Sequence, residues 1–542
     1  MAILAGLPHL KDVSLAAHPL DQDQAVAYAW GQPGWADYRG VSRTLHGLTI
    51  AEAQQTIAVV EGISQPLLDR KVVLALRAGG RLVYDGDLTG RLVSNTSTSY
   101  PDAAYGHTSD TIRLGYQAAM VSLHSPTYGR LWLSVTPHPG DTVSCTQAMA
   151  LVEAAERRTQ VRPRRRTELL TQRLQLVEMT CHRLEARQQD LQAALDQVRA
   201  TREQVRQHAA HLAEVQRAYS HLARARPRLE AAQRREASQD QLVSKTEQRL
   251  ARHTRRLDAA GQELRRPQAR LAAFEQDNAT NPAPIQAVFR FDAGFETYEN
   301  LAGLIELGYD VYAKPYSHHV TNALRRRLSP ETAWTRVGAN AEMIAWADLP
   351  LAELPYPLNI ALERFHTRTT IRYATLLHYG RDPVTTDLST WFRTSNGRQL
   401  VEAGIKEGKA VFQMHHLKVR SPAALWLQEH CAAFAANFVR WAAHWLVTQC
   451  PQLPTGWSDL TPPPVKTQVD VAAHTSTWVV WQPSGCLLEF TSHSLFAGSA
   501  LEVKEWAVQP ALPLFKNDTQ TPLLSDLGSD CTKLALDFIH CQ

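Results

Sequence analysis

Apolar positions in the first seventy residues recur at helical spacing. Leu45, Leu48 and Ile50 are followed by Ile57, Val60 and Ile63, and Thr49 precedes Glu52 by three residues as a capping box. The period then changes. Residues 72–76 (VVLAL) and 81–87 (RLVYDGD) predict two short strands split by Ala-Gly-Gly, and IRLGYQAAMVSL and GRLWLSVT predict further antiparallel strands. A helix from about 142 to 156 completes this βββα passage.

A seven-residue period comes next. Leu170, Val177, Leu184, Leu191, Val198, Val205, Leu212 and Tyr219 form an unbroken series, with a weaker companion set at Leu174, Cys181, Gln188, Leu195, Arg202, Ala209 and Gln216. This is a coiled-coil seam. The phase slips at Arg224-Ala225-Arg226-Pro227, and a second series runs Leu229, Glu236, Val243, Leu250, Leu257, Leu264 and Leu271, with proline at the slip breaking the helix. The pattern predicts two arms of about fifty residues, each roughly 70–75 Å long, folded back as an antiparallel hairpin.

Globular patterning resumes at PIQAVFRFDAGF, where the apolar run from Ile285 to Phe291 predicts a buried strand ending at Asp292. A helix (297–307) and the strand YDVYAKP complete a β-α-β passage, residues 317–379 turn mostly β with Trp334 and Trp346, and helices return at 397–411 and 421–448. A proline-rich stretch (451–464) leads to strands around STWVVWQ and CLLEFTS. The resulting division is an N-terminal helical module (1–70), a core in three parts (71–157, 281–316, 390–449), an inserted helical hairpin (158–280), a β-rich insertion (317–389) and a proline-rich linker with a β-rich tail (450–542). The strands before and after the hairpin are expected to share one sheet.

Composition narrows the class. The chain has 542 residues, 44% hydrophobic, with 57 Lys+Arg against 53 Asp+Glu and a net charge of +4. That small net charge conceals an asymmetry: residues 151–280 hold 26 of the basic and 17 of the acidic residues, +9, leaving −5 for the rest. Only Lys245 among those 26 is not arginine, which favours phosphate-fork contacts and an anionic partner. The apolar stretch 423–447 carries Gln428, Glu429, His430, Asn437, Arg440 and His444, which suits a buried helix and excludes a membrane span. The N-terminus has a six-residue apolar run without a cationic leader, so no export is expected. Seven cysteines without a C-x-x-C pair argue against a zinc site or disulfide framework and for the cytoplasm.

Three carboxylate sites carry the candidate chemistry. Asp85 and Asp87 lie two apart at the end of a predicted strand and therefore face one side, Asp292 ends a second strand, and Arg398, Glu402 and Lys409 share one face of a predicted helix. Phosphodiester chemistry without a covalent intermediate uses divalent cations, and hard cations take carboxylate oxygens held on a rigid frame. Two bland readings stand beside this one: D-G and G-D are turn dipeptides, and Asp292 before Ala-Gly-Phe suits a turn or cap. GIKEGK is one residue short of a phosphate loop and lacks Ser/Thr after Lys409, while His318-His319 and Met414-His415-His416 lack metal-ligand spacing.

On these residues the chain resembles bacterial insertion-sequence transposases of the insertion-sequence-four-like superfamily, whose signature is Y-x2-R-x3-E-x6-K. Arg398-x3-Glu402-x6-Lys409 fits the spacing, Asp292-Ala-Gly-Phe fits the second-aspartate motif and Asp87-Leu-Thr the first. Ser395 stands where the family has tyrosine, a DNA-contact residue. The resemblance, spanning 72–447 with the hairpin as an interruption, implies an α/β fold with an RNase H-like core, a mixed sheet with flanking helices. It implies metal-dependent cleavage at element ends and strand transfer by a DDE enzyme with two Mg²⁺ or Mn²⁺ ions. Asp87, Asp292 and Glu402 would be ligands, with Asp85 as the alternative first ligand and Arg398, Lys409 and Ser395 on DNA. Double-stranded DNA is the implied partner, with a homodimer in the DNA complex, no membrane, and a cytoplasmic, nucleoid-associated location. A domesticated, catalytically silent DNA-binding scaffold dimerising through the hairpin and an RNase H-like structure-specific nuclease are the alternatives. YRGVSRTLHG (38–47) is a candidate DNA-reading segment.

Overall fold

A computed structural model describes residues 2–23, 27, 34–94, 100–108, 111–125, 129–219, 221, 224–351, 354–414, 416, 419–449, 464–473, 477–482, 485–490 and 500–504. The chain divides into two compact units, one formed by Met1–Pro163 with Pro284–Gln542 and the other by Arg164–Ala283.

Helix α1 (Tyr38–Gly47) is capped by the Asp37 carboxylate, which accepts from the Gly40 amide. Helix α2 (Ile50–Gly79) starts at the capping box: Thr49 accepts from the Glu52 amide and the Glu52 carboxylate accepts from the Thr49 amide. The expected strand at 72–76 is absent, because α2 runs through it to Gly80, whose φ of +67° closes the helix. Its buried positions Ala53, Ile57, Ser64, Leu68 and Val72 keep a helical period, while Val73 and Leu74 are exposed. Pro66 lies inside α2 without ending it. The helix therefore crosses the boundary placed at residue 70.

Strands β1 (Arg81–Leu92), β2 (Ala104–Thr108), β3 (Thr111–Ser125) and β4 (Gly129–Pro139) are antiparallel neighbours, with β3 central to the other three, and helix α3 (Ala148–Thr159) follows. β1 is twelve residues long, so Asp85 and Asp87 sit mid-strand and not at its end as the sequence suggested.

In the second unit, helices α4 (Thr167–Ala218) and α5 (Ala225–Ala279) form an antiparallel pair. The cross-helix partners descend along one arm as they climb the other: Arg165–Asp277, Gln188–Thr254, Arg199–Glu247, Arg202–Asp240. The buried seam of α4 is Leu170, Leu174, Cys181, Leu195 and Ala209, so four of its five residues come from the companion set and only Leu170 from the stronger apolar series. The remaining Val and Leu residues of the stronger series are half-buried beside it. Pro227 falls in the first turn of α5, where no intrahelical amide bond is lost.

The chain re-enters the first unit with an Ile285 amide donating to the Arg162 carbonyl and a parallel bridge between Pro163 and Ile285. Strand β5 (Gln286–Arg290) pairs in parallel with β1 and, on its other side, with β6 (Asp310–Ala313), helix α6 (Tyr298–Glu306) making the crossover. Helix α7 (His318–Arg325) precedes β7 (Thr335–Arg336), β8 (Ala341–Leu349), β9 (Leu358–His366) and β10 (Ile371–Tyr379). β10 pairs antiparallel with β6, so the β-rich segment extends the same mixed sheet, ten strands in all among the described residues. Helices α8 (Leu388–Asn396), α9 (Gln399–Val411) and α10 (Pro422–Gln449) follow. Val401 and Ile405 of α9 join Met120, Trp132 and Val135 in one buried cluster, together with the small side chains Ala432, Ala433, Ala435 and Ala436 of α10. Asn437 of α10 accepts from the Trp132 amide and donates to its carbonyl at the irregularity in the β3–β4 ladder. The tail strands β11 (Thr477–Gln482), β12 (Gly485–Phe490) and β13 (Ala500–Lys504) form a separate antiparallel sheet; most of the proline-rich stretch lies outside the described residues. No helix of the described residues is long and apolar enough to cross a membrane.

Candidate active site

The β1–β5 ladder runs from Arg81↔Gln286 to Asp85↔Arg290. Asp87 and Asp292 each lie two residues beyond its last pair, side by side where two parallel strands part. Crevices at the carboxyl ends of parallel strands are the usual place for ligands in α/β sheets. Asp87 pairs with Met120 across the β1–β3 ladder, and paired residues share a face. Met120 packs in the cluster with Val401 and Ile405, which puts α9 over that face and Glu402 at its edge.

The three carboxylates meet around one cation. The Arg398 guanidinium donates to Glu402 Oε1 at 2.7 Å, with Asp87 Oδ2 at 3.5 Å and Asp292 Oδ2 at 4.0 Å. The other oxygen of each aspartate is engaged locally: Asp87 Oδ1 accepts from the Leu88 amide at 2.8 Å and Asp292 Oδ1 from the Gly294 amide at 3.0 Å. Asp292 thus also has the turn role its neighbours suggested. Burial pushes the Asp87 carboxyl up to about 7; Arg398 and the Leu88 amide oppose that rise, and Asp292 and Glu402 add to it. Among the described residues no set of three His, Cys, Asp or Glu side chains is already gathered at one point for an ion, since Arg398 stands between these three.

Asp85 is differently employed. Both its oxygens accept from Arg290, at 2.6 Å from Nε and 2.6 Å from Nη2, and both side chains are almost fully buried. The remaining nitrogen of Arg290 donates to the Thr394 carbonyl at 2.8 Å, so this pair ties β1 and β5 to the end of α8, just before Arg398. A Cβ at Gly397 would stand 2.4 Å from that Arg290 nitrogen, which explains the glycine there. Ser395 lies in the same turn, its carbonyl accepting from the Gly397 and Arg398 amides.

Lys409 is half-buried on α9, its ammonium pushed below the usual lysine range by burial and by Arg91, with Glu429 and Asp87 opposing. Arg91, two strand positions of the same face beyond Asp87, is held by both oxygens of Glu429 at 2.9 Å. The glycines of GIKEGK have packing roles: a Cβ on Gly404 would meet Arg130 Nε at 1.7 Å, and one on Gly408 the Met414 sulfur at 2.4 Å. Arg130 donates to the Leu400 carbonyl and approaches Glu407, holding α9 against β4. His318 and His319 are exposed on α7, and His415 lies outside the described residues.

Arg290, Arg130 and the Arg91–Glu429 pair were missed by sequence reasoning. An arginine inside an apolar strand run, as in VFRFD, is the one signal that calls for a buried carboxylate partner. Neither the models of known protein families nor the curated proteins include a match to this chain.

Proposed function

We propose that this chain is a DDE-type DNA transposase that cleaves the ends of its mobile element and joins the freed 3′-hydroxyls to target DNA. One observation carries the reading: Asp87, Asp292 and Glu402, drawn from β1, the end of β5 and α9, all come within 4.0 Å of the Arg398 guanidinium. The strand order supports an RNase H-like core, with an antiparallel β4-β3-β1 set continued beside β1 by the parallel strands β5 and β6.

The donor set suits hard divalent cations. The three side chains that face Arg398 are carboxylates, without thiol or imidazole among them, and a cation beside Asp87 favours its ionised form. Mg²⁺ or Mn²⁺ bound there, as two ions, supplies activation of the attacking hydroxyl and neutralises charge at the leaving oxygen. Asp87, Asp292 and Glu402 hold the cations, and Asp85 does not, being committed to Arg290. Lys409 and Arg398 grip phosphate oxygens along the face of α9, and Ser395 adds a hydroxyl from the last turn of α8. Double-stranded DNA is then the partner, with a dimer of the chain bridging two element ends, and the site of action is the bacterial nucleoid.

The test is incubation of purified protein with DNA carrying the gene's flanks, with Mg²⁺ or with EDTA, followed by mapping of cuts. Cuts at the element boundary only with metal support the reading. Metal-independent cuts, or none with intact DNA binding, sink it.

A further inference from the structure

Arg398 occupies the place the proposed metal ligands share. Its guanidinium faces Asp87 Oδ2, Asp292 Oδ2 and Glu402 Oε1, while the second oxygen of each aspartate is taken by a backbone amide. The aspartate oxygens not engaged by backbone amides are therefore the ones that face the arginine. Of its three ion pairs only one is a hydrogen bond. Glu402, its only hydrogen-bonded carboxylate among the three, is 47% exposed, and Arg398 Nη1 is buried without a hydrogen bond. A planar fork so poorly satisfied has much to gain from two oxygens of a phosphodiester.

We propose that Arg398 is an internal counter-ion that gates the carboxylates, so that DNA and divalent metal bind with positive coupling. This rests on the transposase reading and adds a regulatory step to it. Without DNA, Arg398 offsets part of the charge of the three carboxylates and competes with metal. A DNA phosphate draws the guanidinium outward, leaving the three carboxylates without their shared counter-ion and open to the cations. By linkage, DNA raises metal affinity by the same factor as metal raises DNA affinity. The arrangement keeps the site from loading metal, and from cutting, before a phosphodiester is in place.

The probe is Mn²⁺, titrated into the full-length protein and followed by its EPR signal, with and without a duplex of the gene's flanks. Arg398→Gln should bind Mn²⁺ about tenfold or more tightly than wild type without DNA, within the range of typical coupling. The duplex should tighten Mn²⁺ binding to wild type by a similar factor and change the variant little. Arg398→Lys, which keeps the charge, guards against a folding artefact and should fall between the two. If Mn²⁺ binding is lost in Asp292→Asn but equal in wild type and Arg398→Gln, the gate is wrong and the metal site stands. If wild type and Arg398→Gln both fail to bind Mn²⁺ with DNA present, the transposase reading fails and takes the gate with it.

Discussion

Arg290 grips both oxygens of Asp85 one pleat before the point where Asp87 and Asp292 stand side by side, on the same face of the sheet. The pair is a buried brace for the site. Removing one partner strands a charge in the interior, so Arg290→Met or Asp85→Leu alone should cost about 3–5 kcal/mol. The double variant should recover much of that loss. Urea unfolding of the four proteins completes the cycle, and strictly additive losses would show that the pair is not coupled.

Asp292 and Glu402 are only partly buried, at 35% and 47% side-chain exposure, and each keeps a local backbone or helix neighbour. Asp292→Ala and Glu402→Ala should therefore stay folded and bind end DNA within a few-fold of wild type while losing end cleavage by at least ~10³, as expected for removal of a group central to the chemistry. Cleavage at normal rate by either variant would overturn the site assignment.

Glu363 on β9 is 1% exposed, with Oε1 unsatisfied and its carboxyl pushed up to about 7 by burial, Lys314 opposing. The folded protein holds this proton more tightly than the unfolded chain does. Its contribution to stability is therefore full below about pH 4.5 and lost as pH rises through about 7. Glu363→Gln should raise Tm at pH 8, by the equivalent of at most ~3 kcal/mol, and lose the advantage below about pH 4.5. Calorimetry across that range checks the sign.

Gly86 lies between the two aspartates of β1, and a Cβ there would meet the Phe291 ring at 2.2 Å. Phe291 stacks between Phe289 and Phe295, so it has no room to retreat. Gly86→Ala should destabilise by about 1–3 kcal/mol through overpacking and slow end cleavage by displacing Asp292. Unchanged melting would show that the ring column yields.

Much of this was legible in the chain. The heptads marked both arms of the hairpin, and the Arg398–Glu402–Lys409 spacing marked the α9 face, because helical neighbours are close in sequence. What stayed hidden depends on partners far apart. Asp85 and Arg290 are separated by 205 residues, and no local pattern distinguishes Asp85 from Asp87. The helix over 72–76 was misread because Val, Leu and Ala in a row look alike in strand and helix; only the wider period from Ala53 to Val72 separates them. In the hairpin, the stronger apolar series did not mark the centre of the seam: only Leu170 of it is among the most buried residues, beside Leu174, Cys181, Leu195 and Ala209 of the companion set.

The bridge between Pro163 and Ile285 bears on how the sheet assembles. Parallel pairing of β1 with β5 joins segments more than two hundred residues apart, a contact of the kind that slows folding. In the helical hairpin the cross-arm partners draw steadily closer in sequence, from Arg165–Asp277 at its open end to Arg202–Asp240 towards its turn. Once α4 and α5 have closed to the Arg165–Asp277 and Asn278 contacts at their open end, the ends of the excursion are already neighbours. The long arms then serve assembly as a splint, shortening the effective loop before β5 seeks β1.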